Sequence, residues 1–84
     1  WGDYLKITKL LIEAGADVNI RNNNHSTPLM TASFLGKKEI VRLLLEAGAN
    51  PDLKDDKGRT AFDIAIEREH LDTAALIEKF NNKI

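Results

Sequence analysis

The sequence predicts an all-α fold in which short helical units stack side by side as a solenoid. The segment Leu10–Ala16 recurs as Leu43–Ala49, an offset of 43 − 10 = 33 residues, with a single difference at Ile12. A fixed period of this length is typical of stacked repeat proteins. Apolar residues also recur at helical spacing along the chain, separated by polar segments with turn composition. We expect such a chain to bind a partner rather than to catalyse a reaction.

Five helices are predicted from the apolar spacing, over residues 4–14, 28–35, 38–47, 60–68 and 71–80. The second helix has the clearest ends. Thr27 is expected to be its N-cap, and Pro28 occupies the first helical position, where the missing N–H costs nothing. Gly36 follows as a stop residue, as Gly15 and Gly48 do after the first and third helices.

Two polar segments separate the helix pairs, and we call them finger 1 (residues 17–26) and finger 2 (residues 50–59). Both are rich in Asn, Asp and Lys or Arg, and neither contains a strand pattern of useful length. They are expected to form extended, hairpin-like loops. The resulting order is a short helix, a longer helix and a polar finger, repeated along the chain.

Three segments carry a family resemblance. Thr27–Ala32 resembles the ankyrin helix-opening motif T-P-L-H-x-A and departs from it only at Met30. Gly36–Ala49 is similar to the second helix and glycine stop of that family, and Gly58–Ala65 to a common form of its terminal repeat. The resemblance covers essentially the whole chain. It implies an ankyrin-repeat solenoid of stacked helix-turn-helix units with hairpin-like finger loops.

The register of this resemblance divides one domain, residues 1–84, into three parts. Residues 1–21 match a partial repeat without its first helix, residues 22–54 a complete repeat, and residues 55–84 a C-terminal capping repeat. The last repeat departs from the pattern, since Glu69 replaces the glycine between its helices. A terminal repeat is expected to be atypical because one of its faces meets water.

The first segment is expected to leave an apolar edge uncovered. The chain starts at Trp1 in the middle of the pattern, so we expect it to be a piece of a longer protein. Without a partner helix, Ile7, Leu10 and Leu11 would be partly exposed, with Tyr4 and Trp1 as further candidates. Such a patch is prone to association. We therefore expect fraying of the first helix, or self-association through this edge.

Composition argues against several classes of function. The chain has 84 residues, a formal net charge of −1 and no cysteine. No apolar run approaches the roughly 20 residues of a membrane helix, and basic residues are not interleaved with stacking aromatics. We expect no membrane or nucleic-acid partner, no disulfide and no cofactor. The lack of cysteine fits a reducing compartment and favours a cytoplasmic location.

Residues that could carry chemistry have simpler structural interpretations. His25 is expected to be a turn residue that tolerates an unusual φ, and the resemblance implies a structural role for His70, bonding the backbone or capping a helix. The acidic run Asp52–Gly58 lacks the ligand spacing of a calcium loop, and its Asp side chains are expected to bond the local backbone. Neither serine lies in a nucleophile motif. No metal site and no enzymatic activity are expected.

The resemblance also implies a binding surface, because ankyrin-type proteins usually bind through finger tips and the exposed side of the short helices. We call this surface the concave face; carried over residue by residue, it comprises Arg21, Asn23, Asn24, Ser26, Phe34, Leu35, Lys54, Asp56, Lys57, Arg59, Glu67 and Arg68.

The charge on this concave face is open to two interpretations. Five of its residues are basic and two are acidic, so its net charge is 5 − 2 = +3. The partner surface could be acidic or phosphorylated, with arginines available for bidentate contacts. Alternatively, this is an ordinary mixed surface. Phe34 is expected either to anchor the partner or to pack on a neighbouring repeat, whereas Met30 and Leu35 are more often core residues.

The function predicted from these observations is protein–protein recognition by a rigid stacked surface. Two alternatives stay open. The chain could be a structural cap of a longer array, with binding located in other repeats. It could also be a targeting or regulatory module of a multidomain enzyme.

Overall fold

The computed structural model describes residues 2–81, and within them all side chains except those of residues 2–5 and 7. The described residues form five helices: α1 Gly2–Glu13, α2 Pro28–Leu35, α3 Lys38–Glu46, α4 Ala61–Glu67 and α5 Leu71–Asn81. The five predicted helices are confirmed, with each end within about two residues of its predicted place. Both fingers are irregular loops without strands.

The two short helices begin at threonine caps. The Thr27 hydroxyl accepts the Met30 N–H at 3.2 Å, and Pro28 follows at the first helical position. Thr60 and Asp63 form a reciprocal capping box, since each side chain accepts the backbone N–H of the other residue. These bonds satisfy N–H groups that a helix start leaves unpaired. They place the start of each short helix directly after a finger.

The helices pack in two layers. The short helices α2 and α4 pack on each other, and α3 and α5 pack on each other behind them. Each short helix also contacts the longer helix that follows it, while α1 packs against α3. The apolar core lies between the layers, with Leu29, Val41, Ala65 and Ile77 almost fully buried. Met30 is buried as expected, whereas Leu35 is half-buried.

Helix α1 has the uncovered apolar edge that the sequence predicts. Leu10 and Leu11 are 56% and 54% exposed, and Ile20 beyond the helix is also exposed. A cavity of about 350 Å³ lies beside them, lined by residues of α1, finger 1, Pro28 and Leu44. The expected exposure of Leu10 and Leu11 is confirmed. The side chains of Tyr4 and Ile7, and Trp1 itself, lie outside the described part.

A histidine ring joins the last two repeats at the turn between α2 and α3. His70 Nε2 lies 3.1 Å from the Phe34 carbonyl oxygen, which confirms its structural role. Gly36 takes a left-handed φ of 69°, and a Cβ added there would lie 2.6 Å from His70 Nδ1. Glu69 holds the equivalent position of the last repeat at φ 61°. The turn at Gly36 therefore needs glycine for two reasons, its conformation and its closeness to His70.

We expect Gly36→Ala to destabilise the domain more than Gly58→Ala does. Gly58 has a similar φ of 76° but open space around its Cβ position, so alanine there costs about 1–2 kcal/mol of left-handed strain. At Gly36 displacement of the His70 ring adds a further ~1–3 kcal/mol. Urea unfolding of both variants would measure the difference. Equal losses would show that the His70 contact adds nothing.

Candidate protein-binding face

Finger 1 is closed by one side chain. Asn22 Oδ1 accepts the backbone N–H groups of Asn24 and Ser26, both at 2.9 Å. The Asn22 N–H donates in turn to the Ser26 carbonyl at 3.0 Å. His25 completes the turn with φ 60°, which confirms its predicted place as a turn residue with an unusual φ. Asn and Asp are favoured here because their short side chains bond the backbone two residues on.

Finger 2 repeats this closure with a carboxylate. Asp55 Oδ1 accepts the backbone N–H groups of Lys57 and Arg59, both at 2.9 Å. Gly58 has φ 76° at the position equivalent to His25, 58 − 25 = 33 residues later. The expectation that an Asp in this loop bonds local backbone is confirmed. Unlike Asn22, Asp55 is buried, and it carries a charge that needs a partner.

That partner is Arg59, whose guanidinium lies between two carboxylates. Its Nε and Nη2 lie 3.0 and 2.9 Å from Asp55 Oδ2, and its Nη1 donates to Glu67 Oε1 at 2.9 Å. The expectation that the arginines of the concave face are available for a partner is therefore wrong for Arg59. Sequence reasoning missed this because the two residues lie in a loop, where a separation of four residues does not by itself bring side chains together as it does in a helix.

Opposing effects set the pKa of Asp55. Burial on its own raises this pKa, but the N–H bonds from Arg59 and Lys57 and the Arg59 guanidinium together hold it below its ordinary value. Hydrogen bonds from Arg59 to Glu67 and to Asp55 raise the pKa of Arg59. The network thus keeps Asp55 ionised and the guanidinium fixed.

Direct hydrogen bonds join the two fingers. The Asp56 N–H donates to the Asn24 carbonyl at 3.0 Å. Arg21 donates through Nη2 to the Lys54 carbonyl and through Nε to the His25 carbonyl, the latter at 3.4 Å. The N–H groups of Arg21 are therefore already bonded within the domain, as those of Arg59 are. Four predicted members of the face, Arg21, Asn24, Lys54 and Asp56, thus connect the two fingers.

Phe34 is the aromatic residue among the twelve of the concave face. It is 47% exposed, and the Arg68 guanidinium lies over its ring at 4.5 Å from the centroid. The ring is therefore partly open to solvent and partly packed on Arg68, which follows α4. A cavity of about 170 Å³ adjoins the ring between α2 and α4; its lining comprises Ser26, Met30, Thr31, Phe34, Arg59 and Ile64.

Most of the predicted face is accessible. Nine of its twelve residues are exposed, and three are half-buried: Ser26, Leu35 and Arg59. The structure brings together Arg21 with Lys54, Asn24 with Asp56, Phe34 with Arg68, and Arg59 with Glu67. Counting Asp55 as a third acidic residue lowers the net charge to 5 − 3 = +2.

A second groove and two absences complete the description of residues 2–81. A cavity of about 830 Å³ lies on the opposite side of the molecule between α3 and α5, with Leu76 and Phe80 among its lining residues. Within residues 2–81, no His, Asp or Glu side chains form a group of three that could hold a metal ion. No helix in this part of the chain has the length and apolar character needed to cross a membrane.

Stacked helix pairs, fingers in register and the T-P-L opening point to one family. The profile described as "Ankyrin repeats (3 copies)" matches residues 1–83. The chain belongs to the ankyrin repeat family. Ankyrin repeats are generally protein-interaction modules, and such domains are typically non-catalytic.

Relatives of this ankyrin domain are much longer proteins. It is 41% identical over 64 residues to Protein phosphatase 1 regulatory subunit 12A of Mus musculus, covering 76% of the chain and 6% of that protein. It is 41% identical over 70 residues to Ankyrin repeat and SAM domain-containing protein 6 of Rattus norvegicus, 82% of the chain and 8% of that protein. Over 70 residues it is 39% identical to the Transient receptor potential cation channel subfamily A member 1 homolog of Caenorhabditis elegans, 83% of the chain and 6% of that protein. The chain thus spans less than about a tenth of the length of these relatives.

We expect Asp55→Asn to weaken the acid dependence of the stability of the ankyrin domain. The folded state lowers the pKa of Asp55 below 3.8, so ionised Asp55 stabilises the fold above that pH. This contribution is lost as the pH falls through 3.8 towards the folded pKa. Thermal unfolding at about pH 7 and about pH 3 would compare the variant with the unaltered chain.

Asp52→Asn, an exposed position in the same finger, is the matched control and should behave as the unaltered chain. Asn at position 55 can still accept the two backbone N–H groups, as Asn22 does in finger 1. An unchanged acid dependence in the Asp55 variant would refute the assignment.

Proposed function

We propose that this ankyrin domain binds another protein through the concave face formed by the fingers and the short helices α2 and α4. The observation that carries the proposal is Phe34, an aromatic ring that is 47% exposed on a mostly polar surface, with a guanidinium stacked on it. Aromatic and arginine side chains contribute most to the energy of many protein interfaces. The function proposed for the chain is recognition, not catalysis.

Rigidity supports this proposal. Side-chain and backbone hydrogen bonds close each finger and hold the two fingers together. A surface that is ordered before binding loses little conformational entropy when the partner arrives. A few well-placed side chains can therefore give useful affinity.

A regulatory role in a larger protein is the second proposal. Its support is the similarity to Protein phosphatase 1 regulatory subunit 12A of Mus musculus, a regulatory subunit of a phosphatase. In that case the domain would deliver or restrain an activity located elsewhere, still through protein binding. The capping alternative differs, since it places partner binding in other repeats and leaves the concave face here unused.

We expect Phe34→Ala to weaken partner binding by about thirtyfold, equivalent to roughly 2 kcal/mol, because a central aromatic contact is lost. The test is affinity capture from an extract of the source, followed by titration of the captured protein. Leu71→Ala is the matched control, because Leu71 is also an exposed apolar residue but begins α5 in the other layer.

A partner that binds both variants equally well would favour the capping alternative. Arg59 is unsuitable for this test, because its replacement would leave Asp55 buried without its partner. Loss of binding in such a variant could reflect a disordered finger.

Self-association through the α1 edge is a separate proposal. Its support is the pair Leu10 and Leu11, both more than half exposed, and the cavity of about 350 Å³ that Leu11 and Ile20 help to line. Since only about half of each side chain is still exposed, its burial between copies stabilises association by roughly 1–1.5 kcal/mol each.

We expect Leu10→Lys with Leu11→Lys to lower the association constant at least about tenfold. Lysine suits these positions near the C-terminal end of α1. Sedimentation over a wide concentration range would measure the effect, with Ile66→Lys near the end of α4 as the control. If the unaltered chain stays monomeric at every concentration, this proposal is wrong.

A further inference from the structure

The arginines of the concave face differ in what their guanidinium groups already bind. Arg59 is held by Asp55 and Glu67, and Arg21 donates to two backbone carbonyls. Within residues 2–81, the guanidinium of Arg68 makes no hydrogen bond or ion pair, and its contact is the ring of Phe34. Arg68 therefore keeps its N–H donors for a partner.

Stacking on Phe34 also orders this guanidinium. The separation of 4.5 Å between Cζ and the ring centroid is within the range of a cation–π contact. A planar group held against a ring loses less side-chain freedom on binding than a solvated arginine does. Its N–H groups form a fork that matches the two oxygens of a carboxylate.

We propose that Arg68 binds a carboxylate side chain of the partner protein, an Asp or Glu next to an apolar residue that packs on Phe34. This inference rests on the proposed function, since it requires the partner to occupy the concave face. The apolar residue has a place in the cavity of about 170 Å³ beside Phe34, whose floor includes the apolar side chains of Met30 and Ile64.

The charges around Arg68 favour a carboxylate over a phosphate group. The neighbours of Arg68 in sequence are Glu67 and Glu69, both exposed. Arg59 already pairs with Glu67, so its positive charge is largely neutralised and would attract a bound phosphate only weakly. A phosphate carries close to two negative charges at neutral pH. The residues next to Arg68 in sequence offer no cation for the second phosphate charge. One carboxylate, in contrast, matches one guanidinium.

The test begins with a probe of known sequence. Random-sequence peptides displayed on phage are selected on the unaltered domain, and the enriched peptides are synthesised. Backbone amide shifts in NMR spectra locate each peptide on the surface. Each peptide is then titrated against the unaltered chain, Arg68→Gln and Arg68→Lys, with Lys79→Gln on α5 as the control.

The expected result is a set of peptides that combine an acidic with an apolar residue and shift the amides around Phe34. Arg68→Gln should weaken their binding about ten- to a hundredfold, the effect of losing a charged hydrogen-bond partner. Arg68→Lys should also weaken it, because an ammonium lacks the planar fork. Replacing the peptide's Glu by Gln should add no further loss in the Arg68→Gln background.

The outcomes separate this inference from the function on which it rests. Peptides that map to the concave face but carry no acid, or bind Arg68→Gln equally well, overturn the inference alone. A phosphoserine peptide that binds more tightly than its glutamate counterpart overturns the choice of a carboxylate. Peptides that map to the groove between α3 and α5, or a selection that enriches no binder, count against both.

Discussion

The buried carboxylate of Asp55 is the contact on which the concave face depends. It closes finger 2 by accepting two backbone N–H groups, and it orients Arg59, which in turn holds Glu67 on α4. The finger and the short helix therefore form one unit. A buried charge is tolerated here because each of its oxygens has donors, so the cost of desolvation is offset locally.

Comparison with finger 1 shows what the negative charge of Asp55 contributes to finger 2. Asn22 closes finger 1 with the same two bonds, but it is exposed and has no guanidinium opposite, since Ser26 stands where finger 2 has Arg59. Backbone closure thus needs only an oxygen acceptor, whereas coupling of the finger to the helix needs the ion pair. Arg21, through the Lys54 carbonyl, and the Asp56 N–H, through the Asn24 carbonyl, connect finger 1 to finger 2.

The fold was largely predictable because its signals are local. Thr27, Pro28 and Gly36 mark the ends of α2 through capping, a missing N–H and a left-handed turn, all of which act within a few residues. The concave face was predictable only as a set of exposed positions. The roles of Asp55 and Arg59 were not, because a pair of this kind depends on how a loop folds back on itself. A repeated Asn or Asp at an interval of 33 residues is the signal that could have indicated the two finger closures.

The sequence by itself determined the repeat period, the five helices, the polar fingers and the family. Apolar spacing, helix caps and stop glycines act within a few residues and can be recognised in short segments. Only the tertiary structure decided which arginine has its donors open to a partner. Arg21, Arg59 and Arg68 look alike in sequence, but the folded chain places carbonyls beside the first, carboxylates beside the second and the ring of Phe34 beside the third. The physical reason is that hydrogen bonding and ion pairing depend on distances in the folded chain. Arg21 meets Lys54 and Arg68 meets Phe34 only when the helix pairs stack, and Arg59 meets Asp55 only when finger 2 folds back on itself.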